Sequence, residues 1–264
     1  MHEKLSKSPI TYVLAQVRFT NIESMEKYIP ELQEIIRQQF PIFKKITIQA
    51  IDLRDRKFSD IIQWHFMDEN SVTGILLDGT SISIHTSKYD NFLKLQKQFD
   101  NVLTEFNKIL NISLCVRLGL RYINLIESNL DKYIQPELLG FHLKDTTHFE
   151  KNKFLARTEL IQKSKIGIVK IKSTHMGDNE VTDERENIFV PSDMINIADL
   201  LSFKHHKKPS KDFSIIDIDH FYEKNEKFEV FDVKEIINDL TRIQDASYNA
   251  FTAAVTPRAL KDWI

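Results

Sequence analysis

Residues Leu114–Glu127 read L-C-V-R-L-G-L-R-Y-I-N-L-I-E, and this stretch decides how the rest of the chain is interpreted. It is apolar, rich in β-branched and aromatic residues and free of proline, which predicts a long central β-strand. Alternation places four apolar residues on one face of the strand: Val116, Leu118, Leu120 and Tyr122. The other face carries Arg117 and Arg121 on either side of Gly119. Two cations in the middle of a sheet require carboxylates or an anionic ligand nearby.

Composition narrows the class of protein. The 264 residues are 42% hydrophobic, which suffices for one large or two small domains with a substantial core. A net charge of -2 argues against a globally basic nucleic-acid-binding protein, although a local basic patch remains compatible with it. Cys115 is the only cysteine, so no disulfide can form within the chain, and we expect a reducing, cytoplasmic location. The sequence has neither a signal-peptide pattern nor an apolar run long enough to cross a membrane.

Periodicity predicts alternating strands and helices in the N-terminal part. A strand over Ile10–Phe19 is followed by a helix from Ser24 to Phe40. Four strands come next, at Ile46–Leu53, Phe58–Met67, Val72–Leu77 and Ser81–Thr86. The Asp78-Gly79 pair between the last two is the strongest hairpin signal. A long amphipathic helix follows, from Lys88 to Leu110.

The C-terminal part repeats this general order after the central strand. Two strands are predicted at Phe149–Gln162 and Ile166–Ser173, and another at Phe213–Tyr222. The intervening residues include an acidic loop, a short strand at Asn187–Pro191 and a short helix at Asp193–Leu201. A last long helix begins near Asp232, and Thr256-Pro257 supplies the N-cap and first residue of a short final helix.

This order of elements predicts an α+β fold of antiparallel sheets with long amphipathic helices packed on one face. Strands followed by a long helix occur twice, which suggests two topologically similar halves. We place the N-terminal half at residues 1–111 and the C-terminal half at residues 112–264.

Three segments resemble a sporadically distributed family of bacterial proteins of unknown function. They are L-S-K-S-P-I-T-Y-V-L-A-Q-V-R-F at Leu5–Phe19, R-L-G-L-R-Y-I-N at Arg117–Asn124 and F-T-A-A-V-T-P-R-A-L-K-D-W at Phe251–Trp263. The resemblance covers the overall organisation of the chain and implies no catalytic residues. It implies a bacterial or mobile-element origin, and by analogy a place among accessory, defence or toxin–antitoxin genes.

Two pairs of charged residues are candidates for an ion-pair or anion site. Arg117 and Arg121 lie on the same strand face about 13 Å apart, too far to clamp one phosphate. They could form an anion-binding surface or pair with carboxylates on neighbouring elements. Asp217 and Asp219 are two residues apart on a strand, at about 6.6 Å, and could bind a divalent cation or act as an acid/base pair. The favoured interpretation is that they pair with the two arginines across the sheet.

A basic stretch gives the third candidate. From Lys151 to Lys172 the predicted hairpin carries seven cations against the single acid Glu159: Lys151, Lys153, Arg157, Lys163, Lys165, Lys170 and Lys172. Such a ribbon, like the basic loop Lys204–Lys211, could lie along a nucleic-acid backbone. Lysines also protect edge strands from aggregation, so a solvated outer face is the alternative. The acidic segment Asp178–Glu186 could fold over the ribbon and neutralise it.

The remaining residues give no enzyme signature. His65 and His85 are expected to be half-exposed strand residues, and His205-His206 lies in a lysine-rich loop that disfavours a metal ion. Cys115 is expected in the core, and the sequence contains no P-loop, zinc-protease or nucleophile-elbow motif.

The leading prediction is therefore a non-enzymatic binding protein whose partner is another protein, without catalytic residues, metal or cofactor. It would act as partner, sensor or immunity component of a defence or toxin–antitoxin-like locus. A nucleic-acid-binding accessory using the basic ribbon is the first alternative, and a metal-dependent hydrolase using the aspartate pair is the second. A homodimer is compatible with all three, and no membrane association is expected.

Overall fold

The structure is a computed structural model that describes residues 7–52, 57–127, 129–141, 154–177, 212–223 and 229–264. Its strands are β1 Ile10–Phe19, β2 Ile42–Asp52, β3 Lys57–Met67, β4 Thr73–Leu77, β5 Ser81–Thr86, β6 Leu114–Ile126, β7 Leu155–Lys163, β8 Ile168–Met176, β9 Phe213–Glu223 and β10 Glu229–Val230. Its α-helices are α1 Ile29–Ile36, α2 Phe92–Leu110, α3 Leu130–Tyr133, α4 Pro136–Leu139, α5 Val233–Ala254 and α6 Pro257–Trp263. The predicted α+β class is confirmed.

One compact unit comprises residues 14–120 and 221–242. Its strands pair in the order β2-β3-β4-β5-β1-β6, and the short β10 also pairs with β6. Helix α2 buries one apolar stripe against this sheet, and Phe106 on that stripe meets Phe66 of β3 edge to face at 6.3 Å. The helix begins at Asn91, whose side chain accepts a hydrogen bond from the Lys94 backbone N–H. It ends at Asn111 in the left-handed conformation.

The second compact unit comprises residues 1–13, 121–220 and 243–264. Its strands pair in the order β1-β6-β9-β8-β7. Its core joins apolar residues of β6, β8 and β9 to those of α3, α5 and α6. Trp263 of α6 stacks on Phe251 of α5 at 6.1 Å. Each unit is built from separate segments of the chain, and the division into sequential halves at residues 111 and 112 stays a prediction.

The strand predictions are largely confirmed, although the helix predicted from Ser24 to Phe40 is wrong in its extent. A 3₁₀ turn occupies Met25–Tyr28, and α1 begins only at Ile29. Pro30 explains the difference, because proline lacks a backbone N–H and suits only the first turn of an α-helix. Ser24 makes no side-chain capping bond.

Gly79 in the turn between β4 and β5 is needed because Asn21 packs closely against it, and not because the turn requires a positive φ angle. Gly79 is not among the positive-φ glycines of the described residues, so the turn does not need the conformational freedom suggested by the Asp-Gly pair. A Cβ atom at Gly79 would instead lie 2.9 Å from Asn21 Oδ1. The Asp78 carboxylate closes the turn by accepting bonds from the Thr80 backbone N–H and the Ser81 hydroxyl.

Several predicted elements lie outside the described residues. These are the strand at Asn187–Pro191, the helix at Asp193–Leu201, the acidic segment Asp178–Glu186 and the basic loop Lys204–Lys211 with His205 and His206. In the part of the chain that is described, no helix has both the length and the apolar character needed to cross a membrane.

The predicted N-cap of α6 is confirmed and allows a direct test. Thr256 Oγ1 accepts a hydrogen bond from the Ala259 backbone N–H and donates one to the Lys132 carbonyl. We expect Thr256→Ala to lower the free energy of unfolding by about 1–2 kcal/mol because both bonds are lost. Urea denaturation should show that Thr256→Ser, which keeps the hydroxyl, loses less. An equal loss in the two variants would show that the hydroxyl does not cap the helix.

Candidate functional site

Arg121 and Asp217 form a bidentate ion pair. Arg121 Nε donates to Asp217 Oδ1 at 2.9 Å, and Nη2 donates to Oδ2 at 2.7 Å. Each side chain is only 9% exposed, so the charges lie away from water. The paired fork geometry is the strongest arrangement of these two groups. Both oxygens of Asp217 are thus engaged by the guanidinium, which gives this aspartate a structural role.

Tyr12 of β1 shares the environment of this ion pair. It is completely buried, and burial raises its pKa well above the usual range, while the positive charge of Arg121 partly offsets that rise. Asn124 lies three residues after Arg121 on β6 and donates to the Ile216 carbonyl at 3.0 Å. The polar groups around Arg121 therefore hold β6 and β9 together in the interior of the unit.

Arg117 lies in a different environment from Arg121. Its Nη1 donates to Gln16 Oε1 at 3.1 Å, and its guanidinium lies 4.3 Å from the centre of the Phe221 ring. Arg18 Nε donates to the same glutamine oxygen at 3.1 Å. A Cβ atom at position 119 would lie 3.1 Å from Arg117 Nη1, so Gly119 makes room for the guanidinium. The structure therefore gives the two predicted arginines separate roles.

The second predicted acid, Asp219, is half-buried on β9. Asp217, its proposed partner in a metal site, has both oxygens bonded to Arg121. Among the described residues there is no group of three or more His, Cys, Asp or Glu side chains that could hold a metal ion. Cys115 is buried, in agreement with its predicted place in the core, and its thiol contacts the Arg117 carbonyl at 3.9 Å.

The prediction that His65 and His85 are half-exposed is wrong, because each is only 1% exposed. Both lie against β4, where His65 pairs with Leu76 and His85 pairs with Gly74. A Cβ atom at Gly74 would lie 3.0 Å from His85 Nε2, so the glycine leaves space for the ring. Burial lowers the pKa of His65 to about 4 and that of His85 to about 3. Both rings are therefore neutral at pH 7.

His220 and Ser164 form a contact that the sequence did not indicate. His220 Nδ1 lies 3.2 Å from the Ile243 carbonyl, which requires a proton on Nδ1. The Ser164 hydroxyl oxygen lies 2.9 Å from Nε2, within hydrogen-bond distance. Burial lowers the pKa of His220, while the Ile243 hydrogen bond opposes that shift. This contact ties the turn between β7 and β8 to α5.

The basic ribbon corresponds to the β7–β8 hairpin, which consists of β7, the turn at 164–167 and β8. The antiparallel register pairs Glu159 with Lys172, Ile161 with Lys170 and Lys163 with Ile168. Alternation therefore brings four of the predicted cations onto one face, named here the basic face: Arg157, Lys163, Lys170 and Lys172. Lys165 lies in the turn, and Lys151 and Lys153 lie outside the described residues.

The basic face also exposes apolar side chains near the turn. Ile161 is 57% exposed and Ile168 is 38% exposed, and Leu160 on the opposite face is 43% exposed. Glu159 contacts Lys172 loosely at 3.7 Å with both side chains about half-exposed, so it compensates little of the positive charge. This end of the hairpin offers exposed apolar and basic groups together.

Comparison with known proteins assigns no role to any of these residues. No protein-family model, curated protein or solved structure matches the chain. The resemblance to the sporadically distributed bacterial family therefore stays a prediction. The exposed end of the hairpin carries the functional proposal because the Arg121–Asp217 pair is buried and internally satisfied.

Proposed function

We propose that the protein is a non-enzymatic binding protein whose docking element is the β7–β8 hairpin and whose partner is another protein. The observation that supports this proposal is the exposure of Leu160, Ile161 and Ile168 at one end of the hairpin. Exposed apolar side chains at the end of a strand pair are typical of surfaces that become buried on association. Strand β7 also stands at the end of the strand order, where an edge can accept a further strand.

The finer parts of this proposal rest on the sequence. A partner, sensor or immunity component of a defence or toxin–antitoxin-like locus fits the family resemblance of Arg117–Asn124 and the two terminal segments. A cytoplasmic location fits the single cysteine, Cys115, which allows no disulfide within the chain. The partner would then be encoded near the gene for this chain.

Binding of nucleic acid is the second candidate function, and the strand register favours it. Cations two residues apart on one strand face are separated by about 7 Å. Lys170 and Lys172 have this spacing on β8, and Lys163 lies across from Ile168 on β7. A basic strip of this kind can contact successive phosphates of an extended backbone without reading its sequence.

The two candidates are separated by native mass spectrometry of the protein purified gently from its own host, with a nuclease-treated aliquot. For the protein-binding function we expect a second polypeptide that survives nuclease and is lost in the Ile161→Asp variant. The matched control is Ile35→Asp on α1, since Ile35 is 43% exposed and lies far from the hairpin in sequence. A nuclease-sensitive adduct would support the second candidate. A partner retained by Ile161→Asp would overturn the hairpin as the docking element.

A further inference from the structure

Hydrogen bonds at both ends of the β7–β8 hairpin define which backbone groups of β7 face outward. The Gly177 N–H donates to the Phe154 carbonyl at 3.1 Å, and the Ser164 N–H donates to the Gly167 carbonyl at 2.7 Å. Bonded and non-bonded pairs alternate along an antiparallel ladder. The even-numbered residues of β7 therefore bond to β8. The backbone N–H and C=O groups of the odd-numbered residues, including Glu159, Ile161 and Lys163, point away from β8.

The outward edge of β7 is accessible over five consecutive residues. Residues 159–163 are all exposed, whereas Ala156 is buried and Thr158 is half-buried. In the part of the chain that the structure describes, β8 is the only strand paired with β7. An exposed strand edge with apolar side chains is a template for pairing with another strand. The accessible length sets a limit of about five residues on any strand that docks there.

The side chains of residues 159–163 in one copy of the chain are complementary to the same residues in a second copy. If two copies of β7 pair antiparallel about a two-fold axis at Ile161, the five exposed residues of each copy pair with each other. Glu159 then lies opposite Lys163 of the second copy, and the same contact forms again on the other side of the axis. Ile161 lies opposite Ile161 of the second copy, and Leu160 lies opposite Gln162. Opposite charges and apolar residues in facing positions stabilise such a pair.

The registers centred on Leu160, Glu159 and Thr158 are less favourable. An axis at Leu160 places Arg157 opposite Lys163, so two cations face each other twice. An axis at Glu159 places the two glutamates opposite each other. An axis at Thr158 brings the buried Ala156 into the pairing, where the edge is less accessible. Among the registers centred on residues 158–161, the exposed stretch and its charges therefore favour the one centred on Ile161.

We propose that the edge of β7 binds a second copy of this chain, in an antiparallel two-fold pair centred on Ile161. This inference rests on the proposed function, because it uses the same hairpin as the docking element and names its partner. Pairing joins the hairpins of the two copies into one antiparallel sheet and places their basic faces side by side. Five residues per copy form a small interface, so the dimer is reversible and its population rises with protein concentration.

The test is sedimentation equilibrium of the purified full-length chain over a concentration series. We expect the mass to rise from 31.0 kDa towards twice that value. Glu159→Lys and Lys163→Glu should each prevent the rise because they place like charges opposite each other. The double variant Glu159→Lys/Lys163→Glu should restore it, because the opposite pairs form again with reversed sign. Lys97→Glu on α2 is the matched control, since it reverses the same charge at an exposed position outside the hairpin and should leave the dimer intact.

Three results would overturn the dimer: a mass that stays at 31.0 kDa, a dimer that survives both single charge reversals, or a double variant that remains monomeric. Circular dichroism of each variant checks the fold, which these exposed substitutions should not disturb. A monomer whose host partner is lost with Ile161→Asp would overturn the self-pairing and leave the proposed function standing. A dimer restored by the charge swap, without any host partner that depends on the hairpin, would support the self-pairing and show that the partner of the hairpin is a second copy of this chain rather than a different protein.

Discussion

Replacement of Asp217 by alanine is expected to lower the free energy of unfolding by about 3–5 kcal/mol. The substitution removes both acceptors of the Arg121 guanidinium and leaves its charge in a site where the side chain is only 9% exposed. The cost comes mainly from that uncompensated buried charge rather than from the loss of a favourable contact. Tyr12, which is fully buried beside Arg121, offers no negative charge in exchange at pH 7, because burial raises its pKa.

A double variant separates these two contributions. Arg121→Met/Asp217→Leu removes both charges, and we expect it to recover most of the stability lost in Asp217→Ala. The matched control is Glu34→Ala, which breaks the exposed Arg37–Glu34 pair with its contact of 2.8 Å and should cost less than about 1 kcal/mol. Chemical denaturation followed by circular dichroism measures all three variants. Similar losses in Asp217→Ala and Glu34→Ala would contradict the expectation that burial sets the cost.

Most of the fold could be predicted because strand and helix periods are local properties of the sequence. The strand at Ile10–Phe19 needs only its apolar alternation, and the cap at Thr256 needs only the Thr-Pro pair. The helix predicted from Ser24 to Phe40 is wrong in its extent because the apolar spacing continues through Pro30, which confines the start of the α-helix to Ile29. The apolar spacing favours a helix from Ser24, whereas the missing backbone N–H of Pro30 favours a helix that begins just before the proline, and the proline determines where α1 begins.

The site could be predicted only in part because its contacts join distant residues. The sequence suggested that aspartates on one strand pair with arginines on another, but it could not show that Asp217 selects Arg121 across 96 positions. It gave no sign that Gln16 would bond Arg117, or that Ser164 would contact His220. These contacts follow from the strand order, which no local period encodes.

The buried histidines are the clearest case of this limit. His65 and His85 occupy strands whose alternation is compatible with a half-exposed face. Their burial becomes evident only when β4 lies between β3 and β5 and Gly74 faces His85 without a side chain. The missing Cβ atom provides the space, so the relevant signal lies in a glycine 11 positions away from the histidine that it accommodates.

The same two histidines should make the protein strongly sensitive to mild acid. Burial lowers the pKa of His65 to about 4, with a smaller effect from Lys44, and it lowers that of His85 to about 3, with a smaller effect from His65. In the unfolded chain both rings titrate near pH 6.5. Between these values the unfolded state binds more protons than the folded state, so stability falls as pH decreases. The contribution is complete above about pH 6.5 and is lost progressively as the pH falls towards 4 and 3.

Lowering the pH from 7 to 5 should therefore reduce the free energy of unfolding by about 4 kcal/mol through these two rings, roughly 2 kcal/mol each. Urea denaturation at several pH values measures the loss, and the variant His65→Gln/His85→Gln should show a much smaller pH dependence because glutamine does not titrate. The pKa of His220 is also lowered by burial, so part of the pH dependence of the free energy of unfolding should remain in that variant. His220→Gln is the control for this remaining pH dependence. If the free energy of unfolding of the double variant depends on pH as strongly as that of the original protein, groups other than His65 and His85 take up the protons. Protonation requires exposure of buried rings on β3 and β5, so acid should weaken the unit of residues 14–120 and 221–242 first.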